Sequence, residues 1–98
     1  MCGAPKQGAG LDGIDLKTQT VIQGQVWHDG APVVGAYVRL LDGTDEFTAE
    51  VVTSPEGEFR FFAAPGKWKV RALAPVGKGE RLVPADLGLN ETTVVLDQ

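Results

Sequence analysis

Cys2 is the one cysteine of this chain, carried in the run Met1-Cys2-Gly3-Ala4-Pro5-Lys6-Gln7-Gly8. A thiol on a glycine- and proline-rich segment has the chemistry of a carrier. The thiolate is the reactive form, and exposure together with a cation such as Lys6 favours it. His28, the only histidine, stands beside Asp29. The two fall in a stretch of turn residues, so the pair reads as a strand end rather than as half of a proton relay. One cysteine and one histidine fall short of a three- or four-ligand metal set, so no metal is expected. Lys67, Lys69 and Arg71 alternate along one run, with Arg60 on the run before it. On a strand such spacing lines one face. That face would dock an anionic partner, or pair across strands with Glu50, Asp45 and Glu46. Leu41, Val52 and Phe62 are apolar at positions that alternate away from the expected core, and together they form a candidate interface.

The elements that would position these residues are short. Alternating runs are punctuated by His28-Asp29-Gly30-Ala31-Pro32, Asp42-Gly43, Ser54-Pro55-Glu56-Gly57 and Pro65-Gly66. Glycine supplies positive φ, proline fixes φ, and aspartate tolerates both turn positions. Strands are expected over 18–27, 36–41, 47–53, the segment around Phe59 and Phe61, the segment from Lys67 to Ala72, a short piece at 80–83, and 91–96. Inward positions are Ile22, Gly24 and Val26, then Ala36, Val38 and Leu40, then Phe59 and Phe61, then Trp68, Val70 and Ala72, with Val94 on the last strand. Phe47, Ala49 and Val51 share a face. The pattern predicts an all-β chain, a seven-stranded antiparallel β-sandwich. Residues 1–16 carry four glycines and a proline and read as a flexible N-terminal arm. Residues 17–98 form the β-sandwich domain.

Composition narrows the function classes. A chain of 98 residues with 43% apolar content buries enough surface for one core without staples. A net charge of −4 argues against nucleic acid, whose phosphates call for surplus clustered cations. No apolar run approaches the length needed to span a bilayer, and the first ten residues lack the apolar segment of an export signal. A cytoplasmic protein with no membrane partner is therefore expected, and the lone cysteine agrees. No set of residues has the spacing of a catalytic constellation, and no cofactor is called for.

Two resemblances add to this. Gly24-x-Val26, Asp29-Gly30, Pro32-Val33-x-Gly35-Ala36-x-Val38-x-Leu40, Thr53, Gly57-x-Phe59 and Pro65-Gly66-x-Trp68-x-Val70 resemble the carboxypeptidase regulatory-like, or prealbumin-like (transthyretin-like), β-sandwich. That fold hosts unrelated roles. The opening run from Met1 to Gly8, with Val38-Arg39-Leu40-Leu41-Asp42, Asp45-Glu46-Phe47-Thr48-Ala49-Glu50-Val51-Val52 and Phe59-Arg60-Phe61-Phe62-Ala63-Ala64-Pro65-Gly66, resembles the small actinobacterial SseC-type proteins. The resemblance implies a domain of unknown function encoded beside thiosulfate sulfurtransferase genes, and so a link to sulfur metabolism. The expectation is a small non-catalytic accessory or interaction module with a protein partner, for which the resemblance offers a sulfurtransferase as the candidate; self-association is left open. The alternative is a sulfur-transfer participant that carries sulfane sulfur on Cys2.

Overall fold

A computed structural model describes residues 15–97. Cys2 and most of the expected arm lie outside them. The described chain opens on a turn in which Thr18 N and Gln19 N donate to Asp15 O at 3.1 and 2.9 Å. Eight strands follow: β1 (Thr20–His28), β2 (Ala31–Pro32), β3 (Tyr37–Leu41), β4 (Phe47–Val52), β5 (Glu58–Ala63), β6 (Gly66–Ala74), β7 (Gly77–Ala85) and β8 (Gly88–Val95). No helix occurs among the described residues.

Turn chemistry sets the strand ends. β1 and β2 join through Asp29 and Gly30, both at positive φ (52° and 79°). Two successive positive φ values make the primed turn whose twist suits a two-residue hairpin. Gly57, at φ 76°, closes the β4–β5 connection. A Cβ there would press on the Val26 carbonyl and on Pro32. Between these turns the buried Thr53 hydroxyl donates to Val33 O at 2.6 Å and accepts from Ala36 N at 2.9 Å. That hydroxyl satisfies two backbone groups that no ladder reaches.

The strands form two sheets. In the first, β1 pairs with β2 and β5 antiparallel and with β8 parallel. The second has the order β4-β3-β6-β7, antiparallel throughout. Inward residues of both contribute to one core: Ile22, Val26, Phe59, Phe61 and Val94 from the first, and Val38, Leu40, Val70, Ala72, Val83 and Ala85 from the second. Phe59 and Phe61 pack with ring centroids 6.0 Å apart. The expected inward residues are buried except Gly24, which is half-buried, and Trp68, which packs half-buried against the cluster while its Nε1 donates to Ala64 O at 2.8 Å.

The structure corrects three expectations. The ladder is not wholly antiparallel, since β8 runs parallel to β1. Side-chain alternation has the same period in either direction and does not encode it. The stretch 75–90 holds no short isolated strand. It contains all of β7, nine residues long, and the start of β8. Pro84 reads as a breaker, yet β7 is an edge strand of its sheet, where a missing donor is tolerated. Phe47 does not share a face with Ala49 and Val51. The register shifts between Leu40 and Leu41, so that Leu40 pairs with Ala49 but Leu41 pairs with Phe47. This bulge leaves Thr48 unpaired and turns Phe47 outward, where it is 60% exposed.

Gly24 allows the parallel seam. It is in register with Phe59 on one side and Thr92 on the other. A Cβ at this position would overlap the Thr92 carbonyl and crowd the Phe59 ring. Gly24→Ala should cost at least about 1–3 kcal/mol, because the obstacle is backbone. Phe59→Ala, which empties a core position, should cost about 3–5 kcal/mol. Urea unfolding checks both, and an unchanged midpoint for Gly24→Ala would contradict the close approach of β1 to β8.

Candidate functional site

The outer face of the second sheet is ordered in rows, because the strand registers bring like with like. Arg39 pairs with Glu50 on β4 and with Arg71 on β6, and Arg71 pairs with Glu80 on β7. This gives a charged row, Glu50–Arg39–Arg71–Glu80, across four strands. Arg39 Nε bonds Glu50 Oε2 at 2.7 Å, and Arg71 Nε bonds Glu80 Oε2 at 3.1 Å. On one side of it lies Val52–Tyr37–Leu73–Lys78. On the other lies Phe47–Leu41–Lys69–Leu82. Tyr37, Phe47, Val52, Leu73 and Leu82 are all exposed, Leu82 at 76%. Five large apolar side chains on one face exceed the scatter of single exposed residues that any protein shows.

Two hollows mark this face. One, of about 350 Å³, is lined by Tyr37, Arg39, Glu50, Arg71, Leu73 and Lys78. The other, of about 520 Å³, lies past the third row among Asp42, Asp45, Lys67, Trp68, Leu82 and Pro84. Lys69, which also lines it, bonds Asp45 Oδ1 at 2.7 Å.

The residues singled out by spacing divide between the two sheets. Lys67, Lys69 and Arg71 lie on the second sheet, with Lys69 and Arg71 engaged by carboxylates. Arg60 is on β5 in the first sheet, in register with Gln23, to whose Oε1 its Nε donates at 3.1 Å. The basic stripe is therefore three residues, not four, and of the expected carboxylates only Asp45 pairs with it, through Lys69; Arg71 takes Glu80 instead. Glu50 serves Arg39, a residue that spacing alone did not single out. Its signal was present in the alternation Tyr37-Arg39-Leu41.

Leu41, Val52 and Phe62 do not form one patch. Phe62 belongs to the first sheet, in register with Val21, which pairs in turn with Leu89. Val52 and Leu41 share the outer face of the second sheet, but the charged row runs between them. Leu41 is buried at 4% exposure, flanked in its row by Phe47 and Lys69. Tyr37, Phe47, Leu73 and Leu82 take its place as the exposed apolar residues.

His28 ends β1, and its Nδ1 lies 3.3 Å from Leu96 O. No group of three or more metal-ligating side chains gathers among the described residues. Nor does any described helix reach the length and hydropathy needed to cross a membrane.

The turn from β3 to β4 is held by Asp42. Its Oδ1 accepts from the Thr44 hydroxyl at 2.7 Å, Thr44 N at 2.8 Å and Glu46 N at 3.1 Å. These bonds, the hydroxyl first, hold the Asp42 carboxyl below its ordinary value. Asp45, at φ 65°, completes the turn and presents its carboxylate to Lys69. The rim of the larger hollow therefore depends on one side-chain oxygen.

The described residues define a small all-β protein of two sheets. The chain belongs to the DUF1416 family, described as a protein of unknown function, whose model matches residues 2–96. It is 55% identical over 97 residues to two uncharacterised proteins of Mycobacterium tuberculosis strain H37Rv, covering 96% of this chain and 97% of each relative. It is 57% identical over 84 residues to an uncharacterised protein of Mycolicibacterium smegmatis, covering 84% of this chain and 93% of that one.

The Asp42 turn has a pH signature. A folded-state value lowered relative to the unfolded chain stabilises above the unfolded value and is lost as pH falls through the folded one. An NMR titration should place the Asp42 carboxyl below free aspartate, and Asp42→Asn should remove that part of the acid dependence. A midpoint at the free-aspartate value would contradict the hydrogen-bonded turn.

Proposed function

We propose that this protein is a small non-catalytic interaction module that binds a protein partner through the outer face of its second sheet. The observation that carries the reading is the row order of that face. A charged row satisfied largely within itself is flanked by two rows of exposed apolar side chains. Such a surface resembles an interface core, apolar and poor in unpaired charge. β2, two residues long, is a hairpin appendage to β1. The remaining strands are read as the seven of a prealbumin-like sandwich, a fold that serves as a rigid platform. The resemblance to SseC-type proteins supports a place in sulfur metabolism, in the cytoplasm, with a sulfurtransferase as the partner. A second reading rests on Cys2, the chain's one thiol: the module then also receives sulfane sulfur from that partner.

One experiment separates these readings. Affinity capture from native cytosol is run with wild type, Leu82→Glu, Val95→Glu and Cys2→Ser. Leu82 lies on the proposed face and Val95 on β8 of the other sheet, both exposed. Leu82→Glu should lose the partner, and Val95→Glu should keep it. Equal capture by both would overturn the docking face. The sulfur reading further predicts one added sulfur atom on wild type, but not on Cys2→Ser, after incubation with a loaded sulfurtransferase. An unmodified wild type would remove that reading and leave the module.

A further inference from the structure

Arg39 and Arg71 occupy directly opposed positions on the neighbouring strands β3 and β6. In such pairs the Cβ atoms approach to about 5 Å, and like charges destabilise the pairing. Each guanidinium has one hydrogen-bond partner, and that of Arg39 also lies over the Phe47 ring, 5.8 Å from its centroid. Arg39 Nε donates to Glu50 Oε2 and Arg71 Nε to Glu80 Oε2, from carboxylates on the two outer strands. Among the described residues neither arginine has another hydrogen bond, so the terminal nitrogens of both remain for a further acceptor. A guanidinium offers five N–H donors in a planar fork matched to an oxyanion. One donor in each is used.

The hollow between them is lined by both arginines, by exposed Lys78 and by a single carboxylate, Glu50. Its other walls are Tyr37 and Leu73, each 53% exposed. In a chain of net charge −4, this is a local excess of cations beside apolar surface. The volume, about 350 Å³, lies at the small end of the range for organic ligands.

We propose that this hollow binds a small organic anion, with an oxyanion head between Arg39 and Arg71 and an apolar body against Tyr37 and Leu73. The head relieves the repulsion between the guanidiniums and uses their terminal donors. Lys78 adds a third positive charge at the rim. An inorganic ion would satisfy the cations but leave the apolar walls wet. A neutral apolar molecule would leave the terminal guanidinium donors unused. The inference rests on the outer face of the second sheet being the working surface, but it needs no protein partner.

The test is an NMR titration of the isolated full chain at fixed pH and salt with benzoate, acetate and benzyl alcohol. Benzoate should shift the Tyr37, Arg39, Arg71 and Leu73 signals and bind more tightly than acetate or benzyl alcohol. Arg71→Gln should weaken benzoate by about tenfold, the value of one charge-assisted hydrogen bond. Leu73→Ser should bring benzoate close to acetate. Glu80→Gln should tighten binding, because it releases Arg71 from its competitor; a merely structural ion pair would give no gain. Both polar variants alter half-exposed side chains, so the fold is retained. Shifts that are absent, spread over the whole surface, or indifferent to Arg71→Gln would overturn the site. If Leu82→Glu abolishes partner capture while benzoate fails to bind, the docking face stands and this inference alone falls. If benzoate binds as described while capture is indifferent to Leu82→Glu, the reverse holds.

Discussion

β1 is the strand on which the other elements depend. It is paired along most of its length, by β8 on one edge and by β5 on the other. Val21 and Ile22, adjacent residues on opposite faces, are both fully buried. A strand paired on both edges is the centre of its sheet. The tolerance is tightest at Gly24, where the Thr92 carbonyl and the Phe59 ring occupy the space of a side chain. The aromatic ring fills the gap that the glycine leaves, so the loss of one side chain and the presence of the other are a single device.

From this follows the asymmetry of the two sheets. The chain crosses from the second sheet to the first after β7, and Lys78 and Asp97 tie the two together by reciprocal backbone bonds of 2.8 and 2.7 Å. That closes one side of the protein. Gly79 is needed there, since a Cβ would run into the Val95 carbonyl. Among the described residues, the outer face of the second sheet carries exposed side chains from all four strands. Its rows are fixed by registers that the core on the opposite side enforces, because a slip of one residue would bury Arg39 and Arg71 and expose Val38, Leu40, Val70 and Ala72. The site is thus specified by the interior.

Much of the interior was legible in the residues. Alternation placed Ile22, Val26, Val38, Leu40, Phe59, Phe61, Val70 and Val94 inward, because burial on one face imposes a period of two. Turn chemistry located Asp29-Gly30, Asp42-Gly43 and Gly57. What was not legible depended on relations between distant segments. The direction of β8 against β1 leaves no mark on either strand. The bulge at Phe47 inserts one residue and reverses the side on which that ring lies. The grouping of Lys69 and Arg71 with Arg39 rather than Arg60 depends on which strands become neighbours. The site therefore came partly from sequence, as a list of outward cations and apolar residues, and its assembly came only from the pairing.

Inter-strand amide-to-Hα nuclear Overhauser contacts between β1 and β8 test this arrangement most directly. The account predicts contacts that ascend together along both strands, with Ile22 near Asn90, Gly24 near Thr92 and Val26 near Val94. Contacts that ascend on one strand and descend on the other, or contacts of β8 with β7 in place of β1, would contradict it.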